Sequence, residues 1–323
     1  SYDITTKSAY GEVAYNLKND SSLSLAFRSE ARDMTYHDFS DQGASFDIMG
    51  DFNNSYKIAY EMHPTPNLHW FAYYAEGYHP GGINQNPYLD ADEKTYNQET
   101  YYDITTGIRW YTDNIKLSSS LFYLEHDNHI YETSDQLDPI NPNAFAFFKT
   151  NAESGYEYGS ESSGEFRLSN KFTINATLGL LSSEVELGHH DEHGEDEHDD
   201  DHGDHDNHAH GKKAHSPNWN YSLSFNYNFD ENNSLVIEIA GKDGFVFDSE
   251  HDEYESDPYH LLNAYYSHSF NKVNLGFYAK NILDENYADR GFIFGLEPPL
   301  YEEKLFKSFA PPREIGMSLT YSF

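Results

Sequence analysis

Residues 221–229 read YSLSFNYNF, and their alternation decides the fold class. Tyr221, Leu223, Phe225, Tyr227 and Phe229 fall on one side of an extended chain, with Ser222, Ser224, Asn226 and Asn228 on the other. Side chains of a strand alternate with a period of two, so one face here is apolar and the other small and polar. The pattern recurs at Val13, Tyr15 and Leu17, at Leu23, Leu25 and Phe27, at Phe172, Ile174, Ala176, Leu178 and Leu180, and at Ile315, Met317, Leu319, Tyr321 and Phe323. Helical periodicity is nearly absent. A second face of serine, threonine, asparagine and glycine, rather than of charges, suits a crowded and hydrated interior.

About thirteen strands follow from this pattern. They lie near 7–17, 22–33, 45–62, 67–79, 99–112, 115–131, 146–169, 172–186, 217–230, 234–247, 258–270, 272–283 and 312–323. The connections alternate strictly in length. Short ones at 18–21, 63–66, 112–114, 170–171, 230–233 and 271 are interleaved with long ones at 34–44, 80–98, 132–145, 187–216, 248–257 and 284–311. Short turns on one rim and long loops on the other is the layout of an outer-membrane barrel. A soluble β-sandwich would interdigitate two apolar faces and has no reason to gather its long loops at one end. The predicted fold class is all-β, an antiparallel transmembrane β-barrel. If the last strand descends so that Phe323 ends at the periplasmic rim, the even strands ascend and the 187–216 connection emerges outside the cell.

Composition agrees. The 323 residues carry a formal charge of −35, from 55 acidic against 20 basic side chains. A phosphate-binding surface needs a basic patch, so no nucleic-acid partner is expected. The absence of cysteine removes disulfides, thiol nucleophiles and thiolate metal sites. Aromatic content is 16%, with 28 Tyr and 22 Phe, yet the mean hydropathy is −0.79. No apolar run approaches the roughly 18 residues of a membrane helix. Strands that show lipid only every second residue, flanked by aromatic girdles, account for both values. The first ten residues, SYDITTKSAY, lack the basic and apolar regions of a signal peptide, so as a barrel the chain is expected to be processed or partial.

Residues 189–215 read HHDEHGEDEHDDDHGDHDNHAHGKKAH, with nine of the chain's 18 histidines, ten carboxylates and no apolar residue larger than alanine. Such a stretch buries too little apolar surface to offset the entropy of ordering it, so a mobile, water-exposed loop is expected. Neutral imidazoles and carboxylates are ligands for divalent metals. The candidate ligands are His189, His190, His193, His198, His202, His205, His208, His210 and His215, with Asp191, Asp199, Asp204 and Asp206. Their spacings offer many overlapping sets, which argues for several labile sites rather than one fixed shell. The alternative is a solvated acidic tract kept for solubility, although histidine adds little to that. Zn²⁺, Ni²⁺ and Cu²⁺ all suit this donor set, and affinity order alone favours Cu²⁺. Tyr78 and His79, beside Pro80-Gly81-Gly82, and His126 and His129 near the top of a strand, are candidate mouth-lining residues of a second layer. The ordinary reading of each, as of His251 and His260, is a rim residue. Lys212-Lys213 reads as loop charge alone. No nucleophile, base and orienting group can be distinguished on rigid strands, so no enzyme activity and no required cofactor are expected.

The last forty residues carry a family resemblance. Asn281-Ile282-Leu283-Asp284, the following Tyr287, a long last loop, Pro312-Arg313 and the terminal Phe323 are similar to the C-terminal end of TonB-dependent outer-membrane receptors. More loosely, EGYHPGGINQNP (76–87) with TYYDITTGIRW (100–110) resembles a mid-barrel hairpin of that family, and NAESGYEYGSESSGEFRLS (151–169) a later descending strand. The resemblance implies a barrel of about 22 strands with a plugged lumen. The plug and the TonB-contacting box have no counterpart here. Residues 1–323 are therefore expected to be the C-terminal part of the barrel, roughly three-fifths of it, with 187–216 inserted as an extracellular loop. Alone, such a piece is expected to form an open curved sheet and not to transport. The resemblance further implies a bacterial outer-membrane location, contact with outer-membrane lipid, and nutrient uptake driven by the TonB energy complex through the missing N-terminal region. The His-rich loop resembles that of zinc-type receptors, which puts zinc first as bound or transported ligand, ahead of Cu or Ni. A siderophore or haem receptor, and a passive porin-like channel, are the alternative readings.

Overall fold

The computed structural model describes residues 2–37, 45–49, 52–86, 89–90, 92–136, 145–152, 154–187, 209–249, 251–294 and 304–323. Thirteen strands form one antiparallel sheet in chain order, each paired with the next. They are β1 (Tyr2–Leu17), β2 (Ser21–His37), β3 (Asn53–Thr65), β4 (Leu68–His79), β5 (Glu99–Tyr111), β6 (Ile115–Asp127) and β7 (Ser154–Ser169), followed by β8 (Phe172–Leu187), β9 (Trp219–Asn228), β10 (Asn233–Lys242), β11 (Tyr259–Phe270), β12 (Val273–Lys280) and β13 (Glu314–Tyr321). Among the described residues there is no helix, and β1 and β13 are the two edges, unpaired with one another. The barrel wall is thus open along that line.

Tight turns set the register on the short-loop rim. Asn19 and Asp20, in the three-residue connection between the paired Leu17 and Ser21, both adopt positive φ, 61° and 49°, which Asn and Asp tolerate better than other side chains. From there one residue per strand lines up across the wall. Val13, Leu25, Ile58, Tyr74, Ile104, Tyr123 and Tyr158 are successive cross-strand partners on β1 to β7. All seven are exposed, from 39% at Tyr74 to 70% at Val13. Removing each such side chain from water is worth about 1.5–3 kcal/mol, so a continuous exposed row of them is a surface made for lipid. The neighbouring row, Ala14, Ser24, Ala59, Tyr73, Thr105, Phe122 and Gly159, has the other face. There the Asp103 carboxylate is paired, accepting from Tyr73 Oη at 2.9 Å and Thr105 Oγ1 at 2.7 Å. Two residues toward the long-loop rim, the outer row becomes Glu76, Tyr102, Glu125, Tyr156 and Glu184. Carboxylates alternating with tyrosines mark the edge of the lipid-facing band.

The long connections hold structure that the periodicity runs together with the wall. The expected strand 45–62 breaks, with Ser45–Met49 folding back on residues 33–37 of β2 before β3 begins. The expected strands 115–131 and 146–169 break as well. Ile130–Gln136 and Phe145–Asn151 leave the wall as a hairpin of their own, beginning just after Asn128 at φ 56°. A third hairpin, Ala288–Phe294 with Lys304–Phe309, lies within 284–311. Hairpins keep the period of two, so only turn chemistry separates them from spanning strands.

The recognisable C-terminal corner has a structural role. Asn281, buried and at φ 47°, donates from Nδ2 to Glu285 O at 2.8 Å and accepts from Glu285 N at 2.8 Å. Asp284 accepts from Arg313 Nη2 at 3.0 Å and from Arg313 N at 3.1 Å, which fixes the entry of β13. Tyr287 stacks on Tyr259 with ring centroids 4.1 Å apart.

The lipid-facing band yields a direct test. Leu121, exposed on the outer face of β6, is expected on replacement by Arg to cost about 2–4 kcal/mol, whereas Arg at Glu125, beyond the band, costs about 0–1 kcal/mol. The readout is the shift of the urea-unfolding transition of the full-length receptor in lipid.

Candidate metal centre

One cluster on the inner face brings imidazoles and a carboxylate together. Glu99 is the first residue of β5, and the register sets it opposite His79 on β4. Two residues on, Tyr101 pairs with His126 of β6, which in turn pairs with Gly155 of β7. Ile104 points to lipid, so by alternation Glu99, Tyr101, His126 and His79 face away from it. Tyr101 lies flat over Gly77, where an added Cβ would sit 2.3 Å from the ring. Only glycine allows that approach, which places the tyrosine ring 6.4 Å from that of His126.

Two asparagines hold the loops around the cluster. Asn151 donates from Nδ2 to Asn97 O at 3.2 Å and Asn128 O at 2.8 Å, and its Oδ1 accepts from Asn97 N at 2.7 Å. Asn84 reaches Glu93 O and Lys149 O, each at 2.7 Å, and accepts from Lys149 N at 3.0 Å. Connection 80–98 and the 130–151 hairpin are therefore stitched together, and His129 sits between them.

Glu99 Oε1 accepts from His126 Nδ1 at 2.5 Å and His129 Nδ1 at 2.9 Å, while Ile130 N donates to Oε2 at 3.3 Å. His79 Nδ1 stands 3.9 Å from Oε2. On its far side His126 presents Nε2 to Glu157 Oε1 at 3.4 Å, and Lys213 forms an ion pair with the same Glu157 oxygen. Glu99 and His126 lie beyond the row of Tyr102 and Glu125, clear of the lipid-facing span. Burial alone would raise the Glu99 carboxyl, but the hydrogen bonds from His126 and His129 outweigh it and hold the group well below the usual carboxylate range. Burial would lower His126, but the carboxylates of Glu157 and Glu99 beside its ring prevail over it and over the nearby Lys213, leaving its pKa raised.

The sequence-derived candidates are divided. His126, His129 and His79 meet at Glu99, whereas Tyr78 alternates to the opposite face of β4 and is outside the cluster. His189, His190, His193, His198, His202, His205 and His208, with Asp191, Asp199, Asp204 and Asp206, lie outside the described residues. His210 lies in the short strand Ala209–Gly211, whose backbone pairs with residues 185–187 of β8. His215, at φ 58°, packs against Phe245 with centroids 5.0 Å apart, and burial lowers its pKa, helped by Lys242 and Arg290. His260 is stacked on Trp219 and bonded to Tyr221 at 3.0 Å, and His251 lies 3.4 Å from Asp248. Glu99, Glu157 and Lys213 carry roles that reading the sequence missed. Counting back from turn 112–114 pairs Tyr101 with His126 and was the available signal for Glu99. Lys213, read as loop charge alone, is a bridge to the wall, and Lys212 is ion-paired with Glu255.

Comparison with known proteins fits this architecture. Residues 1–282 match the family model described as TonB dependent receptor-like, beta-barrel. The ferric yersiniabactin uptake receptor FyuA from Yersinia pestis superposes with a TM-score of 0.76 at 16% identity, over 100% of this chain and 46% of that one. The siderophore receptor PiuA from Acinetobacter baumannii gives 0.69 at 16%, over 99% and 44%. The copper transporter OprC gives 0.71 at 12%, over 99% and 48%. The chain spans less than half the length of these three proteins, and at such identities the likeness is one of fold.

The electrostatics predict a pH window. The Glu99 contribution is full above its ordinary value of 4.5 and is lost as pH falls toward its depressed folded value. The His126 contribution is full below 6.5 and is lost as pH rises through its raised folded value. In chelator-washed receptor, the stability gap between wild type and Glu99→Gln is therefore expected to be widest between pH 4.5 and 6.5 and to narrow on both sides. Histidine-selective NMR titration should show the His126 pKa falling in the variant.

Proposed function

This chain belongs to the TonB-dependent receptors, and from that premise we propose that it is the barrel wall of an outer-membrane receptor for a divalent metal, zinc first, captured by residues 189–215. In this reading the connection that carries those residues opens outside the cell, since the long loops share one rim and TonB-dependent uptake begins at the surface. The captured ion then passes a plug supplied by the rest of the protein, with energy from the inner-membrane TonB complex.

The observation that carries the proposal is how the segment is anchored. Leu187 and Ala209 are cross-strand partners, so residues 188–208 are closed at their base by backbone pairing on β8. Just past that base, Lys213 is tied to Glu157, the residue that faces His126. The chain that leaves this histidine-rich stretch is thus fastened to the wall beside the histidine and glutamate cluster. Neutral imidazole is the ligand form, so capture weakens as pH falls through about 6.5. Overlapping ligand sets favour fast exchange over retention, which suits a receptor that must hand its ligand on.

Calorimetric titration of the full-length receptor with Zn²⁺, Cu²⁺ and Ni²⁺, with and without residues 189–208, tests this. Deletion is expected to remove most of the bound equivalents, and those equivalents should also disappear below pH 5.5 or so. Undiminished binding after deletion would sink the capture role. Tight binding of haem or a ferric siderophore with no response to bare metal would favour a chelate receptor instead.

A further inference from the structure

A donor set of a different kind stands on the wall itself. Within it, one Glu99 oxygen and the ring nitrogens of His126 and His129 all lie within 4.8 Å of one another. We propose that Glu99, His126 and His129, with His79 as fourth donor, form a divalent-metal site of fixed geometry that receives the ion from the 189–215 segment. This rests on the reading of the protein as a divalent-metal receptor.

Three features favour a metal over a plain ion-pair network. The first is the excess of imidazole. Three histidines converge on one carboxylate, two of them on the same oxygen at 2.5 and 2.9 Å. Three nitrogen donors around one carboxylate are more than a single ion pair uses. Metal–donor distances of about 2.0–2.2 Å put tetrahedral donors about 3.3 Å apart. The pairs at Glu99 need to spread by less than about 1 Å to admit an ion, with the Nδ1 protons leaving as it enters.

The second feature is the outer support. Glu157 stands 3.4 Å from His126 Nε2, an arrangement in which a carboxylate orients a ligating ring from behind. Ile130 N steadies Glu99 through Oε2. Lys213 forms its ion pair with Glu157, on the far side of His126 from Glu99.

The third is graded access. The side chains of Glu99, His126 and His129 are only 8%, 12% and 16% exposed, while that of His79 is 56% exposed. Three donors are held and the fourth stands open. Sites that exchange their ligand keep such a position, whereas purely structural sites close it. Imidazole with carboxylate and no sulfur selects the Zn²⁺, Cu²⁺ and Ni²⁺ class rather than Ca²⁺ or Mg²⁺.

The test uses full-length receptor lacking residues 189–208, titrated with Zn²⁺ and, for spectroscopy, Co²⁺. The expected result is one remaining equivalent with the visible absorption of tetrahedral Co²⁺ bound by nitrogen and oxygen. Its affinity should fall more than about 100-fold in Glu99→Gln and His126→Gln, and about 10–100-fold in Glu157→Gln. His129→Gln, placed outside the strands, repeats the test should a strand variant fail to assemble, and unchanged heat-modifiable mobility on gels certifies the fold. If the deletion removes all binding while the intact receptor binds, the wall site is overturned and capture by the segment stands. If neither binds, both proposals fall. If the remaining equivalent survives Glu99→Gln and His129→Gln unchanged, the ion sits elsewhere and the site is again overturned.

Discussion

A backbone N–H or C=O left unpaired in hydrocarbon costs several kcal/mol, and this single requirement organises the molecule. It obliges each strand to pair with a neighbour along the full width of the membrane, and the cheapest neighbour is the next one in the chain. The thirteen strands follow that order without a crossover. Once the ladder is fixed, every side chain is assigned to lipid or lumen by parity. Ile104 and Tyr123 go out, Thr105 and Phe122 go in, and a slip of one residue would reverse all of them. The row from Val13 to Tyr158 is the visible result.

The same parity explains what could be read from the chain alone. The wall was legible because lipid and lumen demand opposite residues at every step, so the period of two is written along each spanning strand. The boundaries at the long-loop rim were not, because the loops are hairpins too. Phe145–Asn151 continues the alternation of β7 almost without interruption, and nothing in the apolar pattern shows that it pairs with Ile130–Gln136 instead. What ends the wall is turn chemistry, such as Asn128 at positive φ, a weaker signal than hydrophobic alternation. The C-terminal corner was legible as a resemblance before it had a cause. The cause is now a set of hydrogen bonds that lets Asn281 and Asp284 cap one strand and Arg313 begin the next.

The cluster at Glu99 was half legible for a related reason. Histidine stands out in a sequence, so His79, His126 and His129 could be named, whereas Glu99 is one acid among 55. Its importance comes from register, and register is countable only across a short turn. Turn 112–114 gives the pairing of β5 with β6, but connection 80–98 hides that of β4 with β5. Glu99 therefore becomes visible as the meeting point of three histidines only once β4, β5 and β6 are laid side by side. Lys213 was invisible for a simpler reason, since its partner Glu157 lies on β7, with all of β8 and most of a long connection between them in order.

The two metal-binding arrangements proposed above would be redundant if they did the same thing, and their makeup differs. In that proposal residues 189–215 supply nine histidines and ten carboxylates at overlapping spacings, so that many ligand sets compete for one ion. The Glu99 cluster is ordered in advance by the strand ladder and by the double clamps of Asn84 and Asn151, so its ligands pay little further entropy on binding. An ion that moved from the first to the second, as proposed, would go from redundancy to preorganisation. Under the proposed function, the acidic charge of the chain would serve uptake by concentrating cations at the surface before TonB acts.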